Sequence, residues 1–198
     1  MRKNEVKGTT IILGYIILQV MVMFSQLLIL AIVNNKYNYL RIYELLVIIL
    51  FFIFDVLVFK FTRKKSIKDK WYSFFSKLVF YIFLYLMVEI AFGIAFGRIG
   101  LFTNSPFSLY WIASCLLIPI AEELVFRKAL YGVLNTYLPT LLAIVLTALC
   151  FSIAHMNFGW QFVLNLIFGC YLQYIYKKED NIIYPITIHS IINFMALI

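Results

Sequence analysis

Charge is scarce in this 198-residue chain. Asp, Glu, Lys and Arg together make up 13% of it, about half the share of an ordinary soluble domain. Proline (4) and glycine (8) are few and no short period repeats, which excludes collagen-like, linker-like and low-complexity architectures. Cysteine occurs three times, as Cys115, Cys150 and Cys170, each inside an apolar run and never in CxxC spacing. That excludes a disulfide framework and a zinc knuckle. What fills the chain instead is apolar: 64% hydrophobic and 19% aromatic residues. A soluble chain of this length could not keep so much apolar surface from water. The sequence therefore reads as an all-α, polytopic membrane helical bundle whose first partner is the lipid bilayer. The net charge of +8 comes from basic residues lying mostly between apolar runs. They read as topology signals, and no nucleic-acid partner is expected.

A spanning helix needs about 20 mostly apolar residues, and this rule predicts seven spans. They run approximately over Thr10–Val33, Tyr43–Phe61, Phe74–Phe96, Leu109–Leu134, Pro139–His155, Gln161–Tyr176 and Ile182–Ile198. The first residues, Met1-Arg2-Lys3-Asn4, resemble a signal-peptide n-region, but the apolar run that follows is too long and lacks an A-x-A site, so a retained anchor is expected. The segment from Lys60 to Lys77 holds seven basic residues against one acid, Asp69. The positive-inside rule puts it in the cytoplasm, and with it the N-terminus and the Lys177-Lys178 turn. The expectation is a multi-pass protein of the cell membrane with a cytoplasmic N-terminus.

A charge at mid-bilayer costs about 2.5–3.5 kcal/mol even on lenient scales, so each one inside a span asks for an explanation. Asp55, Glu89, Glu122, Glu123, Arg127, His155 and His189 qualify, and they include both histidines of the chain. Glu123 and Arg127 are four apart and share a helical face, with the acid N-terminal to the base. Glu122 points about 100° away. One acid is then neutralised and structural, and the other is left in a low-dielectric place where a carboxylate can act as a general base. An ion network that merely locks two helices together is the plainer alternative.

With Leu138 at the bottom of the hairpin between spans four and five, Glu122 and His155 come to nearly equal height on its two arms, within about 2 Å. A Glu and a His so placed can hold and activate a water. His189 and Asn193 are four apart, hence on one face, and both can donate hydrogen bonds to a developing oxyanion. They would equally serve as glue between helices. One height disagrees: His189 lies about 10–15 Å above the Lys177-Lys178 turn, whereas Glu122 lies about 24 Å above its own. Either the hairpin at Leu138 projects into the cytoplasm or the last span starts deeper. Lys128, which prefers the interface, favours the projecting hairpin and a centre in the cytoplasmic half of the membrane. Asp55 and Glu89, as single acids, either pair or snorkel and carry no assigned chemistry. Asn157 and Asn165 are candidates to line the same cavity.

Three pieces in this order resemble a known family. Glu122-Glu123-Leu-Val-Phe-Arg127 matches E-E-x-x-x-R, Phe151-Ser-Ile-Ala-His155 matches F-x-x-x-H, and His189-Ser-Ile-Ile-Asn193 matches H-x-x-x-N. Together they resemble the CPBP intramembrane proteases, that is, CAAX-prenyl endopeptidases of the Rce type and their bacterial relatives linked to bacteriocin processing and self-immunity. The resemblance covers residues 109–198, a catalytic helical core, and leaves residues 1–108 as three N-terminal membrane helices without a signature. It implies that Glu122 and His155 activate the attacking water, that His189 and Asn193 form the oxyanion hole, and that Glu123 and Arg127 hold the site in shape. No cofactor is favoured. If the family's metal-dependent description applied, zinc on Glu122, His155 and His189 would be the arrangement, but no H-E-x-x-H pair is present. The expected function is hydrolysis of a peptide bond in a membrane-associated or leader-bearing peptide. The alternative is a bacteriocin self-immunity protein, with or without proteolysis. A small transporter using intramembrane carboxylates would need paired, Gly- or Pro-broken helices, and none is evident.

Overall fold

In lipid every backbone N–H and C=O must find its partner within the chain, and a helix achieves this inside one segment. The computed structural model describes residues 3–32, 36–62, 71–95 and 108–197, and every regular element among them is helical. In chain order these are α1 (Lys3–Ile32), α2 (Lys36–Thr62), α3 (Trp71–Ala95), α4 (residues 110–137), α5 (Thr140–Ala154), α6 (Trp160–Glu179) and α7 (Ile183–Leu197). Each of the seven expected spans falls on one of them. Residues 63–70 of the basic segment, with Arg2 and Arg98, lie outside the described residues.

Among the described residues, two helices are long and apolar enough to cross a membrane by length and composition, over Lys7–Ile29 and Tyr72–Ala91. Their lipid-facing sides carry Leu13, Ile16, Val20 and Phe24 on α1, and Val79, Phe83 and Met87 on α3, all exposed. The inward stripes follow the helical period: Ile11, Tyr15 and Leu18 on α1 meet Val47, Phe51, Phe54 and Val58 on α2. The chain is a polytopic helical membrane bundle. Helices α5 and α7, at 15 residues each, measure about 22 Å and fall short of the roughly 30 Å hydrocarbon core.

Helix α4 is the axis of the bundle, touched by α1, α2, α5, α6 and α7. Every residue from Ala121 to Arg127 is buried, the mark of a helix covered on all sides. Its winding is not uniform. Pro119 lacks the N–H that a regular helix would use, and just before it the helix widens into a π-helical stretch, Ala113–Leu117. There the Ile118 N–H bonds to the carbonyl of Ala113. The carbonyl of Ser114 has lost Ile118 to Ala113, and the next N–H in the π register would be that of Pro119, which does not exist. A second π-helical stretch, Leu124–Leu130, follows the two glutamates. Such stretches re-aim side chains and recur at functional sites.

Helices α5 and α6 approach tightly at Gly169, where an added Cβ would lie 3.0 Å from the Ala148 Cβ and 3.1 Å from its Cα. Small residues at such a crossing let two backbones pack directly. The Asn181 side chain caps α7 by accepting the Ile183 N–H at 3.0 Å.

Candidate active site

The two adjacent glutamates of α4 leave the helix in different directions, and α7 fills the space they define. The wholly buried Glu123 meets the wholly buried Arg127 one turn on, with Oε2 2.8 Å from Nε. Arg127 Nη2 donates to Oε1 at 3.2 Å. The guanidinium lies over the Phe151 ring, 4.7 Å from its centroid. His189, 2% exposed, places Nδ1 2.9 Å from the same Glu123 oxygen and Nε2 3.7 Å from Glu122 Oε2. Because a carboxylate only accepts, Nδ1 carries a proton there. Glu122 Oε1 receives the Tyr15 hydroxyl from α1 at 3.4 Å.

Two buried carboxylates and one buried guanidinium leave one negative charge, which is costly in a low dielectric. A protonated His189 cancels it and presents a second N–H, at Nε2. The contact between His189 and Glu123 also resolves the disagreement in height. Counted along straight helices, Leu138 then lies about 10 Å beyond the turn between α6 and α7, with the N-terminal end of α1 running beside it, Gly8 against Val133.

His155 sits elsewhere than a buried reading of its span implies. It is exposed, at the C-terminal cap of α5. The last carbonyls of a helix lack partners, and Nδ1–H of His155 donates to one of them, Phe151 O, at 2.8 Å. That bond fixes the proton on Nδ1 and leaves Nε2 as a free acceptor. Both imidazoles touch the Phe151 ring, with centroid separations of 4.5 Å for His155 and 5.8 Å for His189. The imidazole against Glu122 is thus that of His189, while His155 stands at the mouth. Asn193 Nδ2 donates to Ser114 O at 2.9 Å, the carbonyl orphaned by Pro119. One amide hydrogen of Asn193 is thereby committed to holding its orientation and the other is left for a ligand.

His155, His189 and Asn193 line one cleft of about 240 Å³. Phe151 and Phe168 form an apolar wall, and Asn157, Gln161 and Asn165 a polar one. Gln161 donates to Asn165 at 3.3 Å. Sequence reasoning left three contributions unassigned: the Tyr15 hydroxyl, the carbonyl of Ser114, and Tyr85 and Glu89 of α3, which also face the cleft. Pro119 inside a span was the available signal for the second. Among the described residues no three His, Cys, Asp or Glu side chains converge as a metal site requires, so Glu122, His155 and His189 do not form a ready zinc-ligand set.

Residues 103–195 match the family described as type II CAAX prenyl endopeptidase Rce1-like. That segment, a little under half of the chain, is similar to the Rce1-like family. The Rce1-like segment begins just before α4 and carries all six motif residues, in agreement with the resemblance to CPBP proteases. Two curated relatives come from Lactococcus lactis. UPF0177 protein YxdF is 27% identical over 78 residues, 39% of this chain and 42% of that protein. UPF0177 protein YajF is 29% identical over 80 residues, 38% of either chain. The matches thus span about two-fifths of the length of these relatives. No solved structure matches.

Proposed function

We propose that the chain is an intramembrane endopeptidase that hydrolyses a peptide bond in a membrane-associated or leader-bearing peptide. The observation that carries this reading is the convergence of His155, His189 and Asn193 on one cleft, with Glu122 against His189. Glu122, which lies behind His189 and not in the cleft lining, serves as general base for a water admitted beside His189, and Nε2 of His155 accepts a hydrogen bond that orients that water. The water's oxygen bonds to the peptide carbonyl carbon and one of its protons passes to Glu122. The oxyanion that forms is met by Nε2–H of a protonated His189 and the uncommitted N–H of Asn193. Collapse breaks the C–N bond, and the proton held by Glu122 goes to the leaving nitrogen. Glu123 and Arg127 fix His189 by charge and geometry. This route uses no metal. Its frame is a multi-pass cell-membrane protein with a cytoplasmic N-terminus and the centre in the cytoplasmic half of the bilayer. Supporting it are the basic bias of Lys60–Lys77 and the place of Leu138 about 10 Å beyond the α6–α7 turn.

The test is cleavage of a membrane-held peptide library by protein in proteoliposomes, read by mass spectrometry. Glu122→Gln keeps the shape and removes the base, and lowers kcat by about 10²–10⁴-fold. His155→Ala and Asn193→Ala each lower it by about 10²-fold or more. Activity is expected to survive a strong chelator. Undiminished turnover by Glu122→Gln would remove the proposed mechanism, and loss on chelation that zinc restores would replace the metal-free route.

A further inference from the structure

The cleft is not built by the Rce1-like segment alone. Helix α3, which precedes residues 103–195, packs on α6 and α7 and turns Tyr85 and Glu89 into it. Among the described residues, Glu89 is the only carboxylate that lines the cleft. Among the described residues no cation or hydrogen-bond donor is paired with it, and it is half-buried. Glu122, Glu123 and Glu179 each hold a partner from another helix. A carboxylate on an apolar helix asks for a positive partner. The polar wall across the cleft is neutral, since Gln161 and Asn165 are bonded to each other. A protonated His189 also lines the cleft but is held by Glu122 and Glu123, so the open direction for such a partner is the space where substrate enters.

We propose that Glu89 selects peptides carrying a positive charge close to the bond that is cut. This rests on the peptidase reading of the same cleft. A cation brought there gains more from a carboxylate in a partly dry site than it would in water. A free C-terminal carboxylate in the same place is repelled, so the site discriminates by rejection as well as attraction. The positive charge has two chemical sources, a Lys or Arg side chain or the ammonium of a free N-terminus, and both present the same charge to Glu89.

The experiment uses the full chain in proteoliposomes and N-acetylated quenched-fluorescence peptides that differ only beside the cleaved bond, in Lys, norleucine or Glu. A norleucine peptide whose free N-terminus lies at that distance separates the two sources. For the unaltered chain, kcat/KM is expected to favour the better cationic peptide over the norleucine and Glu peptides by about tenfold or more. Glu89→Gln brings that preference down to about twofold, and Glu89→Lys turns it toward the Glu peptide. Equal loss on all peptides would overturn the proposal and mark Glu89 as the structural partner of a cation within the chain. Unaltered preference would overturn it as well. A second arm measures binding of the same peptides to Glu122→Gln and to Glu122→Gln/Glu89→Gln by fluorescence anisotropy. Should no peptide be cleaved, a cationic preference in binding that disappears with Glu89→Gln upholds the role of Glu89 while the peptidase reading falls. Binding without such a preference overturns the role of Glu89 whatever the cleavage result.

Discussion

Arg127 has no route to water: its side chain is wholly buried, its Nε and Nη2 face Glu123, and its plane rests on Phe151. Removing it leaves Glu122, Glu123 and a protonated His189 with one uncompensated negative charge. Arg127→Ala is therefore expected to cost about 3–5 kcal/mol of stability, the usual penalty for breaking a buried ion pair from one side. Arg127→Lys keeps the charge but offers neither the planar fork nor the stacking surface, so it restores only part of that loss. Thermal unfolding in detergent with a thiol-reactive dye reads both, and an Arg127→Ala midpoint matching that of the unaltered chain would show the pair to be dispensable. This ion pair was legible in the sequence, because a spacing of four puts two side chains on one face of any helix. The partner of His189 was not. Which acid an imidazole reaches depends on how α7 docks, and the two candidates differ by one residue. The Tyr15 hydroxyl was further out of reach, since it comes from 107 residues away along the chain.

At the scale of the helix, the end of α5 is where chemistry and backbone meet. His155 caps it, and the next residue, Met156, takes φ 48°, a left-handed conformation usually given to glycine at this position. Its N–H closes on Ile153 O at 2.9 Å. The Met156 side chain is 79% exposed, so little packing opposes a change. Met156→Gly is expected to stabilise the chain by about 1 kcal/mol, by relieving the cost of a side chain in the left-handed region. The same dye assay measures it, and a lowered midpoint would mean that the Met156 side chain has a role of its own. Element identity was readable from runs of about 20 apolar residues. The internal winding of α4 was not, because period counting assumes 3.6 residues per turn throughout. The two π-helical stretches break that assumption on either side of Glu122, and one of them frees the carbonyl that holds Asn193.

The whole molecule turns a set of heights into a statement about depth. His189 is about eight residues into the arm above Asn181, or roughly 12 Å, and Glu123 meets it there. If the α6–α7 turn lies at the cytoplasmic face, as Lys177 and Lys178 favour, the proposed centre is sunk about 12 Å into a core of roughly 30 Å. The turn at Leu138 then stands on the cytoplasmic side, the side expected for the basic segment between α2 and α3. Both placements stand or fall with one orientation. A single cysteine at Ser66, in a chain whose Cys115, Cys150 and Cys170 are replaced by alanine, reports it. In intact spheroplasts a membrane-impermeant maleimide is expected to leave Ser66→Cys unlabelled and to label it after permeabilisation, with a second single cysteine at Asn135 behaving alike. Labelling of both in intact spheroplasts would invert the bundle and open the cleft to substrates from the other leaflet. Opposite behaviour of the two sites would instead remove one crossing from the bundle between them, because residues 66 and 135 share a side only if α3 and α4 together cross an even number of times.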